Sequence, residues 1–111
     1  MAFQEKLLAQ KRENTTGAVS VFSPEAGVTA VIKTIMIANT SGAAATVRVF
    51  IDDDGSIFDE STALIWDKSI ATGDFLQITG FFAMDDSTGN LGYRSSVANS
   101  LVITVFGAEI N

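Results

Sequence analysis

The chain has 111 residues, enough for one domain with its own core, and 47% of them are hydrophobic. It contains no cysteine and no histidine. This excludes disulfides and thiolate metal sites, and it removes the usual general base. The net charge is −6, divided between +1 in residues 1–16 and −7 in the remainder. An acidic body repels phosphate backbones, which argues against nucleic acid as a partner.

The first sixteen residues differ from the rest in being polar and short of β-branched side chains. Phe3, Leu7 and Leu8 can share one face of a helix, but a helix this short is marginal in water on its own. We therefore expect residues 1–16 to form an N-terminal arm that becomes ordered against a neighbouring chain. A frayed terminus is the alternative. The folded domain is expected at 17–111.

Targeting and membrane signals are weak in this sequence. Glu5 and Lys6 interrupt the first apolar residues, so no signal peptide is predicted. No apolar run approaches the roughly 18 residues that a membrane-spanning helix requires. We therefore expect no membrane association.

From Gly17 onward, β-branched stretches alternate with turn-forming residues. Strands are predicted at 19–23, 28–39, 45–51, 63–68, 75–82, 91–95 and 100–110. Short strands at this spacing predict an all-β fold, an antiparallel β-sandwich of jelly-roll type with seven to eight strands.

Two of the predicted strands are apolar on both faces. A half-buried strand alternates between apolar and polar residues, so one apolar face is in excess. The alternation sets Val31, Ile35 and Ile37 against Ile32 and Met36, and near the C-terminus Leu101, Ile103 and Val105 against Val102, Phe106 and Ile110. A domain of this size has little second layer to cover the extra face. We expect another copy of the chain, or a larger partner, to cover it.

A cluster of acidic residues follows the strand at 45–51, comprising Asp52, Asp53, Asp54, Asp59 and Glu60. Asp52 and Asp54 ahead of Gly55 match the start of a calcium loop, with Asp59 as a further candidate ligand. The full loop pattern fails, because no third ligand precedes the glycine and Glu60 lies too near to close the loop. A solvated turn is the favoured interpretation. A weaker cluster of the same kind is formed by Asp85, Asp86 and Asn90.

Catalytic chemistry finds little support in the sequence. Glycoside hydrolysis needs two carboxyl groups that face each other across a cleft, whereas these acids lie in adjacent turn positions. The hydroxyl side chains have no histidine to activate them. We expect no enzyme activity and no cofactor. The aromatic residues are mostly phenylalanine, which favours core or interface over a sugar-binding platform.

Residues 27–35 and 38–47, with the ending 95–110, combine small and β-branched residues throughout. In these stretches the chain resembles small β-sandwich structural proteins of tailed-bacteriophage virions. The segment from Phe81 to Asp86 is less typical of the group. The resemblance implies a virion protein that decorates (cements) the head or serves as a neck or tail accessory. It also implies a homo-oligomer, often a trimer, that binds a major capsid, neck or tail protein.

The extra apolar face and the arm supply the candidate contacts for such assembly. The candidate interface residues are Phe3, Leu7, Leu8, Met36, Phe50, Phe81 and Phe82. The alternative from another class is a receptor- or glycan-binding module at a tail or fibre tip.

Overall fold

A computed structural model describes residues 3–85 and 88–110, which form eight β-strands. In chain order these are β1 (Phe3–Arg12), β2 (Val19–Phe22), β3 (Thr29–Asn39), β4 (Ala45–Asp52), β5 (Ala63–Ile70), β6 (Phe75–Met84), β7 (Asn90–Ser95) and β8 (Leu101–Ile110). The seven predicted strands are β2 to β8, with boundaries close to those expected. No described segment forms a helix of the length and apolarity needed to cross a membrane.

The strands form two antiparallel sheets of four. The first sheet has the order β1-β8-β3-β6, and the second has the order β2-β7-β4-β5. Successive strands lie in different sheets except β4 and β5, which pair with each other, and this is the arrangement of a jelly roll. The predicted fold class, an antiparallel β-sandwich of jelly-roll type, is confirmed.

Strand β1 corrects the prediction for the N-terminus. Residues 3–12 are neither helix nor separate arm, because they pair antiparallel with β8 and form one edge of the first sheet. The strand's far end is fixed by Glu13, whose N–H donates to the Tyr93 hydroxyl (2.8 Å) and whose C=O accepts from the N–H of Asn99 (2.9 Å). Pairing with β8 satisfies backbone groups that a detached arm would leave to water.

The core lies between the two sheets and consists mainly of branched aliphatic side chains. Its fully or nearly buried members include Ile32, Ile35, Ile37, Val47, Val49, Leu91, Tyr93, Leu101, Ile103 and Val105. Leu101, Ile103 and Val105 point inward, and Phe106 is 40% exposed on the opposite face, so β8 has the two apolar faces expected of it. Apolar residues at alternate positions on β3 and β8 thus build one wall of the core.

A row of bulges crosses the first sheet beside Phe106. Leu8 is the extra residue in β1, Lys33 is the extra residue in β3, and Gly80 with Phe81 opposes Lys33 from β6. A bulge shifts the alternation by one residue. For this reason Ile32 points inward together with Ile35 and Ile37, and its predicted place on the opposite face is wrong.

Candidate interaction surface

The outward face of the first sheet carries the extra apolar residues. Residues that lie opposite each other in antiparallel register share a face, and the register groups Leu7 with Phe106 and Thr34, and Met36 with Thr104 and Gln77. We call this surface the outer face; its members are Leu7 and Gln10 of β1, Val102, Thr104 and Phe106 of β8, Thr34, Met36 and Ala38 of β3, and Phe75, Gln77, Thr79 and Phe81 of β6.

Four large apolar side chains on the outer face are open to solvent. Phe81 is 82% exposed, Phe75 56%, Leu7 49% and Phe106 40%. They are spread over β1, β8 and β6, so the exposed apolar surface reaches across the sheet. Several large exposed apolar side chains on one face are a usual mark of an interaction site.

The middle of the outer face carries no charge among the described residues. At one end Lys33 of β3 forms an ion pair with Glu5 of β1 (2.6 Å), and Arg12 lies at the other end of β1. Between them the Gln10 side-chain amide donates to the Thr104 hydroxyl (3.0 Å). A partner can therefore remove this central area from water without burying an isolated charge.

The predicted contact residues divide into two groups in the structure. Leu7, Met36 and Phe81 lie on the outer face as the assembly hypothesis needs, with Met36 half-buried between neighbours. Leu8 and Phe82 instead pack against the core. The side chain of Phe3 lies outside the described part of the chain.

Phe50 is not available as a contact residue, which corrects the prediction. It points outward from the second sheet but is only 2% exposed. The Phe58 ring stacks on it at a centroid distance of 5.6 Å, and the Trp66 ring meets it edge-on at 6.3 Å. The segment 53–62, which we call the covering loop, folds back over this sheet and supplies Phe58. Phe50 points outward from its strand but is thus covered by residues of the same chain.

Trp66 is held beside an ion-pair cluster. The Arg48 guanidinium lies 3.7 Å from the Trp66 ring centre and donates to Asp67 through Nε (2.6 Å) and Nη2 (2.9 Å). Arg94 adds a third bond to the same carboxylate (3.3 Å). The hydrogen bonds from Arg48 hold the pKa of Asp67 below its usual range. Arg48 occupies one face of the indole, which leaves less of it for a ligand.

The acidic turn brings together Asp52, Asp53 and Asp54, with carboxylate oxygens within 4.8 Å of one another. Both oxygens of the buried Asp52 accept backbone N–H groups, from Asp54 (3.2 Å) and Ile57 (2.9 Å), and these bonds lower the pKa of Asp52. The turn thus uses Asp52 to organise its own backbone, as the favoured interpretation expects.

Of the remaining candidates in the acidic clusters, Asp59 and Asn90 form hydrogen bonds within the chain. Asp59 accepts hydrogen bonds from the N–H and hydroxyl of Ser61, which lower its pKa. The Asn90 amide donates to the Gly55 carbonyl (2.9 Å), which ties β7 to the covering loop. Asp86 lies outside the described residues. These groups serve turns, and none of their contacts points to a ligand.

The fold is similar to that of chains in two virus structures. The chain superposes on a chain of the infectious bursal disease virus, Gx strain, with a TM-score of 0.55 at 15% identity over 97% of its own length. It superposes on a chain of the cyanophage Pam1 capsid asymmetric unit with a TM-score of 0.50 at 12% identity, covering 96% of this chain and 84% of the other. At these identities the likeness shows a shared fold.

The match to the bursal disease virus chain is partial, and the remaining comparisons do not identify a family or a ligand. The chain spans 32% of the bursal disease virus chain that it matches. A xylan-binding domain of Paenibacillus barcinonensis Xyn10C gives a TM-score of 0.48 at 12% identity, over 96% of this chain and 80% of that one, which is too low to bear on a ligand. No protein-family model and no curated protein matches the sequence.

Two outer-face residues were missing from the predicted contacts. The sequence pattern places Phe106 on the second apolar face of β8 and Phe75 at the start of a strand, and neither is among the predicted contact residues. The alternation in the sequence predicts that Phe75, Gln77 and Thr79 lie on one side of β6. Whether that side faces solvent depends on the pairing of β6 with β3, which cannot be predicted from the sequence.

Proposed function

We propose that this chain is a non-enzymatic structural protein of a virus particle, a capsid decoration (cement) protein or a neck or tail accessory protein of a bacteriophage. It acts by self-assembly and by docking on a larger scaffold, the major capsid protein or a neck or tail protein. The observation that carries the proposal is the outer face, with exposed Leu7, Phe75, Phe81 and Phe106 around a centre without charge.

The outer face supplies most of the area that a stable interface buries on one partner. Four strands about 4.8 Å apart and about 33 Å long offer on the order of 600 Å². A stable interface buries roughly 800 Å² on each partner. Adjoining loops or a second contact make up the difference. Leu7 and Phe106 lie toward the middle of the face, whereas Phe81 lies opposite Lys33 at one end and Phe75 lies in the register row of Arg12 at the other.

The fold and the polar groups are consistent with a structural role. The jelly roll is shared with the viral chains described above, which supports a place in a virus particle. Three of the acidic side chains hold turns or ion pairs: Asp52 accepts from the covering loop, Asp59 accepts within its own turn, and Asp67 binds two arginines. Groups engaged in this way are poor candidates for acid–base catalysis.

We favour a closed trimer in which the copies meet through the apolar surface of the first sheet. The proposed location of this trimer is the virion. Trp66 gives the glycan-binding alternative at a fibre tip little support, because Arg48 stacks on one face of its ring. A carbohydrate platform needs an open aromatic face.

Quantitative mass spectrometry of purified virus particles from the source of this sequence tests the proposal. The chain should be present in a fixed ratio to the major capsid protein and should stay bound through repeated density-gradient purification. Particles that lack the chain would overturn the virion assignment. A glycan array probed with the purified chain is the companion measurement, and selective binding to one glycan class would favour the fibre-tip alternative instead.

A further inference from the structure

The four sheet edges of this sandwich are not equally protected. An edge strand exposes unpaired backbone groups, and proteins guard such strands with charges, bulges or short length. Strand β1 carries Glu5, Lys6, Lys11 and Arg12, and β2 has four residues. Strand β5 carries Asp67 and Lys68, with Asp67 at a positive φ of 53° in a bulge opposite Arg48.

Strand β6 lacks such protection over its first half, from Phe75 to Thr79. It runs for ten residues, Phe75–Met84, without a charged residue or a proline. Its sheet neighbour within the described residues is β3 alone, and the register is regular from Phe75 to Thr79 before the bulge at Gly80. A neutral, regular edge of this kind is a template for another strand.

The direction of the backbone groups follows from one hydrogen bond. The N–H of Asn39 donates to the carbonyl of Asp74 (3.0 Å), in the register that continues through β3 and β6. Hydrogen-bonded pairs alternate along an antiparallel ladder. The N–H and C=O groups of Phe75, Gln77 and Thr79 therefore point away from β3, toward the free edge.

We propose that this edge pairs with β6 of a second copy, antiparallel and centred on Gln77, which joins two first sheets into one of eight strands. The net charge of −6 makes two copies repel over most of their surfaces, whereas β6 brings together two neutral strands. A two-fold axis through Gln77 sets Phe75 of one copy opposite Thr79 of the other and keeps both outer faces on the same side.

This pairing rests on the edge itself and holds whether or not the chain belongs to a virus particle. A two-fold contact at β6 is also compatible with a separate three-fold contact elsewhere, since closed shells contain both kinds of axis. It extends the outer face, because Phe75 and Phe81 of the two copies become parts of one surface.

Single cysteines in this cysteine-free chain test the pairing. At a hydrogen-bonded pair the Cα atoms lie about 5.5 Å apart, within the range of roughly 4.4–6.8 Å that a disulfide accepts. Mild oxidation of Gln77→Cys should give at least about tenfold more covalent dimer than Gln10→Cys, because the paired thiols are held together. Gln10 is the matched control, outward on the opposite, charged edge of the same sheet.

A second variant separates pairing from chance collision. Thr79→Pro removes an N–H that points away from β3, so it should leave the fold intact by circular dichroism. Added to Gln77→Cys, it should abolish the excess covalent dimer. Equal oxidation of Gln77→Cys and Gln10→Cys, or an excess that persists with Thr79→Pro, would overturn the proposal. Neither result depends on whether the chain is found in virus particles.

Discussion

The ring of Phe58 lies over Gly92, so close that a Cβ atom on Gly92 would come within 2.6 Å of ring atom Cζ. Gly92 of β7 lies opposite Phe50 of β4 in register. The missing side chain therefore opens the place in which Phe58 covers Phe50. This contact connects the covering loop to the second sheet and explains why an outward phenylalanine is buried.

Gly92→Ala should displace Phe58 and loosen the covering loop. Overpacking of this kind costs about 1–3 kcal/mol. Urea unfolding should show the loss, and the fluorescence of Trp66, which meets the same Phe50 ring, should report the changed surroundings. Gly42→Ala is the matched control, since a Cβ there meets no atom within 4 Å. Equal stability of the two variants would contradict the role of the Phe58–Gly92 contact.

Asn39→Ala should also destabilise the fold. The buried Asn39 amide donates to the carbonyls of Ala43 and Ile70 (both 2.9 Å) and accepts from the N–H and hydroxyl of Ser41 (3.0 and 2.8 Å). Leaving buried partners unsatisfied costs about 1–3 kcal/mol. The exposed Asn14→Ala serves as control in the same urea titration. A loss no greater than that of the control would show that water replaces the amide.

Strands β2 to β8, the number of sheets and the core face of β8 can be predicted from the sequence because alternation and turn residues are local signals. Strand β1 was not readable, since the bulge at Leu8 breaks its alternation and its partner β8 lies about a hundred residues away. Phe50 was misassigned for a related reason. Its cover is Phe58, and nothing in the spacing of the two residues shows that the loop folds back.

Stability should fall as the solution is acidified below the ordinary titration range of aspartate. Hydrogen bonds lower the pKa of Asp52 and of Asp67 in the folded chain. Their contribution is complete above the unfolded value of about 3.9 and is lost as pH falls through the lower folded values. The pKa of Asp54, raised by its hydrogen bond to Asp52, opposes part of this loss.

Urea midpoints at pH 5.5 and pH 3 measure this dependence. Asp52→Asn should flatten it, because the group that titrates is gone. Asp53→Asn, an exposed neighbour in the same turn, removes the same charge without touching the bonds to Asp54 and Ile57. If the urea midpoint changes equally between pH 5.5 and pH 3 in both variants, Asp52 is not the group that causes the loss of stability in acid.

Replacing outer-face aromatics should weaken self-association. Phe81→Ser with Phe106→Ser removes two exposed rings that lie on the first sheet. Each fully buried phenylalanine contributes about 1.5–3 kcal/mol, so the dissociation constant should rise at least about a hundredfold for the pair. Ile57→Ser is the control, 63% exposed but in the covering loop. Sedimentation velocity over a dilution series measures the dissociation constant of the double variant and that of the Ile57→Ser control. Equal weakening by the control would place the contact elsewhere.

The solution mass of the unmodified chain tests the central claim, that exposed apolar surface on the first sheet is covered by further copies. Native mass spectrometry across a range of concentrations should find defined multiples of 11.7 kDa, with three copies joined at the proposed three-fold contact and even-numbered species where β6 also pairs. A single species of 11.7 kDa up to the highest concentration would contradict the account, because Leu7, Phe75, Phe81 and Phe106 would then remain in water.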